Sequence, residues 1–292
     1  MRVLRNLGLF FYAMIEDKII IQGELGCFHE EAALKYFGRN GQEFIPSISF
    51  SELARNLDKR SFEAMAIMAI ENSIAGSILQ NYRILREHKF KVVGEVYLRI
   101  RHNLMALPGQ TRSDIKEVHS HPMALNQCLD FLRDKPMKMV ESEDTALSAK
   151  RIRENQIAGM AAIASKRAAE IYNLDILDEG IETSKVNYTR FFILNGSQHE
   201  IIDRGFNKAS IFLTVLDAHG RLLNVLESIS NHRINMTKLQ SYPVLGELKK
   251  YYFHLDLEFD EEDQFYNCMK ELKERTESLE ILGTYQKAEI DD

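Results

Sequence analysis

The sequence predicts an α/β protein with a smaller α+β domain at its C-terminal end. Three observations predict it. Short apolar runs alternate with helix-like segments from Lys18 to Leu194, the grammar of an open α/β sheet. After Lys208 the order changes to strand, helix, two strands, helix, strand, within about 85 residues. Between the two patterns, residues 195–207 are polar and turn-rich, which marks a boundary. At 292 residues the chain is long enough for two or three domains, each with its own core.

Taken in order, residues 1–17 read as an N-terminal extension. Arg2 and Arg5 precede the apolar run 7–14, which loosely mimics a signal peptide. The run is short, no small-residue cleavage site follows, and Glu16 and Asp17 come next. Met1 and Met14 are both candidate starts on this reading. Residues 18–22 are a buried strand, 23–26 a turn, 29–37 a helix, and 43–46 a second strand. A helix follows with Ser51 as its N-cap. Residues 64–70 are small or apolar without interruption, as in a strand covered on both faces. Residues 91–101 are a further β-branched segment. The rhythm then repeats: strand 117–120, helix 122–133, strand 138–141, helix 144–153, strand 156–164, helix 165–172, strand 190–194.

In the C-terminal part, 210–216 is a strand, and 220–233 has helical spacing through Leu222, Leu223, Val225, Leu226 and Ile229. Residues 234–241 and 249–259 pair as a hairpin. The helix 261–276 carries Phe265, Cys268, Met269 and Leu272 on one side, and 279–286 closes as a strand. This β-α-β-β-α-β order is a ferredoxin-like module.

Composition narrows the function classes. Lys and Arg number 37 against 43 Asp and Glu, a net charge of −6, so the surface offers no broad footprint for nucleic acid or an anionic membrane. No apolar stretch approaches the ~20 residues of a membrane span. Cys27, Cys128 and Cys268 are far apart and form no CxxC, which argues against a zinc ribbon or a disulfide framework and fits a reducing cytoplasm. HExxH, P-loop, GxGxxG and GxSxG motifs are all absent, so neither a metal nor a nucleotide cofactor is expected.

What carries chemistry is a set of polar clusters at the ends of apolar strands. They are Glu71-Asn72-Ser73 with Gly76; His119-Ser120-His121-Pro122 with Gln127; Asp144-Thr145 opening a helix; and Asn187 to Phe191 opening a strand. Strand carboxyl ends and helix N-termini are where open α/β sheets bind small anions. Each cluster also has a plain structural reading. Hydroxyls before helices commonly cap them, and a histidine is more often structural than catalytic. Cys27 before a helix fits packing or capping better than an activated thiolate, having no adjacent base. These residues describe a cleft for a small anion attached to a sensor-like module.

At these clusters the sequence resembles the prephenate dehydratase family, from about residue 18 to the end. The matching segments are Gly23-x-x-Gly-x-Phe28, Ile70-Glu-Asn-Ser73-x-x-Gly76, Val118-His-Ser-His-Pro122 with Gln127-Cys128, Asp144-Thr-Ala146, Ala161-Ala-Ile-Ala-Ser165 with Ala168-Ala-Glu-Ile-Tyr172, and Asn187-x-Thr-Arg-Phe191. Six in order, ahead of a module that looks like an ACT domain, make the likeness specific. It implies a catalytic domain over 18–197 built as two periplasmic-binding-protein-like (type II) lobes, with a crossover near 100 and a return near 180. It also implies a linker over 198–207 and a ferredoxin-like ACT regulatory domain over 208–292.

The family converts prephenate to phenylpyruvate, with loss of water and carbon dioxide and without cofactor, on the route to phenylalanine. Carried over residue by residue, the resemblance makes Thr189 the donor to the departing hydroxyl. Arg190 becomes a carboxylate partner or a structural ion pair, and Glu71 an acid or an orienting group. Asn72, Ser73, Gln127, Phe191, Ser120 and Thr145 become substrate-binding residues.

The departures lie mainly in the regulatory motifs. Gly220-Arg-Leu222-Leu223 stands for Gly-Ala-Leu, and Gln240-Ser241-Tyr-Pro243 for Glu-Ser-Arg-Pro, so a phenylalanine effector site would be altered. In the catalytic part, Glu24, Cys27 and Ala69 are peripheral departures. ACT modules pair through their sheets, which implies a homodimer or a dimer of dimers. Residues 1–17 are too few for a fused chorismate mutase. The competing readings are an arogenate dehydratase and a noncatalytic small-anion sensor.

Overall fold

The computed structural model describes residues 18–38, 41–60, 63–196, 205–215, 218–244, 246–247 and 250–290. The N-terminal extension and both candidate starts lie outside these, as does most of the 198–207 linker.

The first lobe is a sheet ordered β2-β1-β3-β11-β5, with β4 beside β3. Its strands are β1 Lys18–Gln22, β2 Glu43–Ser47, β3 Met65–Asn72, β4 Gly76–Ser77, β5 Lys91–Arg99 and β11 Tyr188–Asn195. The first three are parallel, and β11 runs antiparallel to both β3 and β5. The second lobe holds β6 Asn103–Ala106, β7 Glu117–Ser120, β8 Lys138–Glu141, β9 Met160–Ala164 and β10 Asp175–Asp178, ordered β10-β6-β9-β7-β8. The chain leaves the first sheet after Arg99 and returns to it at Tyr188.

Helices α1 Phe28–Phe37, α2 Phe50–Lys59 and α3 Leu79–His88 belong to the first lobe. Helices α4 Pro122–Gln127, α5 Leu129–Leu132, α6 Thr145–Asn155 and α7 Lys166–Tyr172 belong to the second. The C-terminal module is β12 Lys208–Thr214, α8 Arg221–Asn231, β13 Asn235–Pro243, β14 Tyr251–Glu258, α9 Glu262–Arg275 and β15 Ser278–Tyr285. Its antiparallel order β13-β14-β12-β15 is the ferredoxin-like arrangement that its pattern predicts.

Period-two alternation explains how the pieces pack. On β3, Met65, Ile67 and Ala69 face a core shared with the second lobe, where Ala146, Ala149, Ala162 and Ala168 meet them. Ala66, Met68 and Ile70 face the other way, toward Leu53 and Leu57 of α2, Tyr82 and Leu85 of α3, and Phe212, Leu282 and Tyr285 of the module. On β11, Phe191 and Ile193 take the first side and Phe192 and Leu194 the second. A sheet sandwiched in this way must be apolar on both faces, which is why 64–70 reads as a continuous run.

Two glycines permit the closest approaches. A Cβ on Gly26 (φ +89°) would lie 2.7 Å from the Ala168 Cα, so the GxxG turn packs directly on the second lobe. A Cβ on Gly283 would lie 1.8 Å from the Val92 carbonyl oxygen, so β15 lies against β5 with no room between. Polar contacts add to the lobe junction: Ser165 Oγ donates to the Gly26 carbonyl (2.5 Å), Tyr172 to the Leu25 carbonyl (2.9 Å), and Lys150 pairs with Glu24 (2.8 Å).

Several local expectations change. Ser49, not Ser51, caps α2, accepting from Glu52 N at 3.2 Å. The helix expected over 122–133 breaks at Cys128, because Thr183 N takes the Gln127 carbonyl at 2.8 Å. Strand β9 starts at Met160, after a turn. Helix α3 has no sequence announcement, since its N-cap is Ile78 and no side chain caps it. Strands β6 and β10 are four residues each, too short for a clear alternation.

Candidate active site

Between the two lobes lies a cleft of about 520 Å3, a size suited to a small molecule. Asn72, Thr189 and Phe191 reach it from the first lobe, and Gln127, Thr145 and His102 from the second. Four helices of eight or more residues begin at it. Cys27 and Phe28 of α1, Ser49 and Phe50 of α2, Ile78 and Gln80 of α3, and Asp144 and Thr145 of α6 all line its wall. Among the described residues, no Lys or Arg lines it. Backbone N–H groups and helix dipoles are therefore the positive ends that the cleft wall offers, beside the carboxylates of Glu143 and Asp144.

The polar side chains form one connected chain. Ile74 N and Ala75 N donate to Asn72 Oδ1 at 3.0 and 2.9 Å. The Asn72 amide is thereby turned so that Nδ2 donates to Asn187 Oδ1 (2.8 Å) and Thr189 Oγ1 (3.0 Å). Asn187 Nδ2 donates to Gln127 Oε1 at 3.0 Å, crossing from the first lobe to the second. His102 Nε2 meets the same oxygen at 2.8 Å. Asn72 fills one acceptor position of Thr189, and among the described residues no acceptor takes the Thr189 hydroxyl proton.

Burial shifts several titratable groups of the cleft wall toward their uncharged forms. Burial lowers the His29 imidazole from 6.5 to about 3, and Nε2 accepts from Ala69 N at 3.2 Å. Burial raises the Asp144 carboxyl, partly offset by backbone N–H groups led by that of Leu147, which it caps at 2.8 Å. Burial, followed by the Asp144 charge, pushes the Cys27 thiol well up, and Sγ donates to the Gln22 carbonyl at 3.3 Å.

Four expected site residues are placed elsewhere. Arg190 sits on the opposite face of β11, 3% exposed. Its Nε donates to Glu95 Oε2 (2.7 Å), its Nη1 to Asp256 Oδ2 (2.5 Å) and its Nη2 to Tyr285 (3.2 Å). Every one of these partners lies away from the cleft, and the guanidinium forms a buried ion pair with both Glu95 and Asp256. Glu71 also faces the module, where Lys238 Nζ reaches it at 2.6 Å. A bulge opposite Arg190 and Phe191 lets Ala69 and Asn72 both face the cleft while Glu71 turns away. Ser73 opens a turn rather than a helix; its Oγ accepts from Tyr188 N (2.9 Å) and donates to the Val186 carbonyl (3.2 Å). Ser120 is fully buried and donates to the Ile163 carbonyl at 2.6 Å.

Two residues of the chain were given no role by sequence reasoning. Asn187 stood inside a recognised motif without a function, and His102 was not singled out. Both obey the rule that found the others, a polar residue at the end of an apolar strand.

Of the expected effector residues, Gly220 is the N-cap of α8, and Leu222 and Leu223 lie in its first turn. Gln240, Ser241 and Pro243 lie on the edge strand β13, where Gln240 Nε2 donates to the Ser241 carbonyl at 3.0 Å. Among the described residues, no group of three or more His, Cys, Asp or Glu could hold a metal ion, and no helix is long and apolar enough to cross a membrane.

Two α/β lobes around a cleft, walled by helix N-termini and amides, define a protein of periplasmic-binding-protein-like fold. The prephenate dehydratase family model matches residues 19–199. Among curated relatives, "Arogenate dehydratase/prephenate dehydratase 1, chloroplastic" of Arabidopsis thaliana is 35% identical, covering 92% of this chain and 71% of its own. The "Bifunctional chorismate mutase/prephenate dehydratase" of Aquifex aeolicus is 31% identical, over 93% and 74%. Among solved structures, GqqA, described as a quorum-quenching acylase, is 29% identical with a TM-score of 0.83, over 93% of this chain and 98% of its own. A prephenate dehydratase from Arthrobacter aurescens in complex with L-Phe shares the fold, with a TM-score of 0.81 at 23% identity, over 92% and 89%. The chain belongs to the prephenate dehydratase family, and it is a carbon–oxygen lyase of the hydro-lyase type.

Proposed function

We propose that Thr189, oriented by Asn72, drives the loss of water from prephenate, giving phenylpyruvate and carbon dioxide. The carbon–carbon bond to the ring carboxylate breaks and its electron pair enters the ring. The ring carbon–oxygen bond breaks, and the leaving hydroxyl takes up one proton to depart as water. Aromatisation supplies the driving force. Thr189 Oγ1 donates to the leaving oxygen because Asn72 Nδ2 already occupies an acceptor position at 3.0 Å; this observation carries the reading. A well-placed donor is worth ~10²–10⁴-fold in rate. Gln127 Nε2 and the N-termini of α1 and α6 hold the carboxylates, Thr145 adds a hydroxyl, and Phe191 packs beside the ring.

Arogenate is the second reading, because Glu143 and Asp144 on the cleft wall offer an ammonium group a partner, and the Arabidopsis relative carries both names. The acylase named among the structural relatives would need an activated nucleophile, whereas burial and Asp144 disfavour the Cys27 thiolate.

The test is to incubate the purified protein with prephenate at neutral pH and follow phenylpyruvate, then to repeat with arogenate and compare specificity constants. Faster turnover of arogenate would reverse the order, and no turnover of either would favour a sensor.

The ferredoxin-like module is read as an ACT domain whose effector is L-phenylalanine, held through Gly220, Leu222, Leu223, Gln240, Ser241 and Pro243. Binding is weakened because Gln240 is neutral and Tyr242 packs edge-on to Phe212 (6.0 Å between centroids). Calorimetry with L-phenylalanine at micromolar strength would show the site intact; no heat at millimolar concentration would remove the effector role. A second copy would pair through the edge strand β13, where Leu239 is exposed, and light scattering reads that dimer.

A further inference from the structure

Among the described residues, one buried polar atom in the cleft wall has no hydrogen-bond partner: Nδ1 of His102. The reason lies in the amide chain. Two backbone N–H groups fix Asn72 Oδ1 as an acceptor, which makes Asn72 Nδ2 the donor to Asn187 Oδ1. Asn187 must then donate through Nδ2, so the atom it meets on Gln127 is the carbonyl oxygen. His102 Nε2 lies 2.8 Å from that oxygen and must donate to it as well. The tautomer of His102 thus follows, through three amides, from donors whose chemistry allows no choice.

The ring is held for this one contact. Its plane stands edge-on to Phe28 (5.4 Å between centroids, 85°), and its backbone N–H is tied to Glu182 Oε2 at 2.9 Å. Burial lowers its affinity for a second proton, opposed by the Gln127 bond and by Glu182. A buried acceptor left empty is unfavourable, and a phenyl ring would fill the same space without it.

We propose that His102 is a positioning residue: as the neutral Nε2–H tautomer it joins Asn187 in clamping the Gln127 carbonyl oxygen, so that the Gln127 NH2 faces the substrate. This rests on Gln127 binding substrate, as read above. Loss of His102 leaves Asn187 holding the same oxygen, so Gln127 is loosened rather than released.

The experiment compares His102→Phe, His102→Gln and Gln127→Leu, singly and with His102→Phe added to Gln127→Leu, in the full chain. His102→Phe lowers kcat/KM for prephenate about ten-fold, the scale of one neutral hydrogen bond. His102→Gln, which keeps a side-chain N–H, restores most of it, with the thermal midpoint near wild type. In the Gln127→Leu background, His102→Phe costs nothing further. Additive losses, or a Gln variant no better than Phe, would overturn the proposal. Nitrogen NMR of the wild-type imidazole gives a readout independent of turnover: Nε2–H is expected, and Nδ1–H would overturn it. Wild-type protein inactive on prephenate and arogenate alike would sink the dehydratase reading instead, and the tautomer would then decide whether the clamp exists.

Discussion

Asn72 and Thr189 stand opposite each other in the register of β3 and β11, and the Asn72 amide donates to Thr189 Oγ1 at 3.0 Å. The next pair in that register, Glu71 and Arg190, points to the other face, where Lys238 and Asp256 of the C-terminal module meet it. The cleft and the module are therefore one residue apart along both strands.

Thr189→Ala is expected to fold and to bind prephenate, with kcat lower by ~10²-fold or more. Thr189→Ser keeps the donor and stays within a few-fold of wild type. Steady-state kinetics on both variants decide the matter, and near-wild-type turnover by the alanine variant would remove the donor role.

Replacing Arg190 tests stability, since its guanidinium never reaches the cleft. Arg190→Met leaves Asp256 with His254 and Ser210, and Glu95 with Lys208. Removing one member of a buried ion network costs about 3–5 kcal/mol, with the remaining partners holding the loss toward the lower figure. Urea unfolding measures it. A loss under about 1 kcal/mol, the level of a surface pair, would show that the network does not hold the module.

Gly283→Ala pushes a methyl group into the Val92 carbonyl, so β15 must move off β5. Overpacking of this kind costs about 1–3 kcal/mol. The variant should also expose the module boundary to limited proteolysis. Unchanged cleavage and an unchanged unfolding midpoint would mean that the two surfaces part easily.

His29 makes stability depend on pH. Its folded value is about 3 and its unfolded value 6.5, so between those values the unfolded chain binds the extra proton. Stability is therefore full above pH 6.5 and falls as pH drops toward 3, by up to about 1.4 kcal/mol per pH unit. His29→Gln, which can still accept from Ala69 N, should flatten that slope. Parallel pH profiles for the two proteins would assign the dependence to other groups.

Asn72, Gln127, Thr145 and Thr189 were legible as cleft-lining residues because each is a polar residue at or beside a strand or helix end, and the cleft lies where such ends converge; Phe191 came with the same motif as Thr189. Arg190 and Glu71 shared the same motifs and were misplaced for one reason. Side-chain direction alternates along a strand, and a bulge resets the alternation, so neighbours in a motif can serve opposite faces. Ser73 and Ser120 look like ligand hydroxyls in the sequence; their partners are carbonyls of segments far along the chain.

Sequence alone determined the α/β class, the C-terminal β-α-β-β-α-β module and part of the cleft lining, Asn72, Gln127, Thr145, Thr189 and Phe191. Those follow from periodicity and from the backbone preferences of neighbouring residues, which are local. Tertiary structure decided the direction of each side chain and each amide: that Asn72 donates to Thr189, that Gln127 accepts from both Asn187 and His102, and that Arg190 braces the module. A hydrogen bond between residues 117 positions apart depends on how the strands come to lie side by side, and nothing local encodes that register.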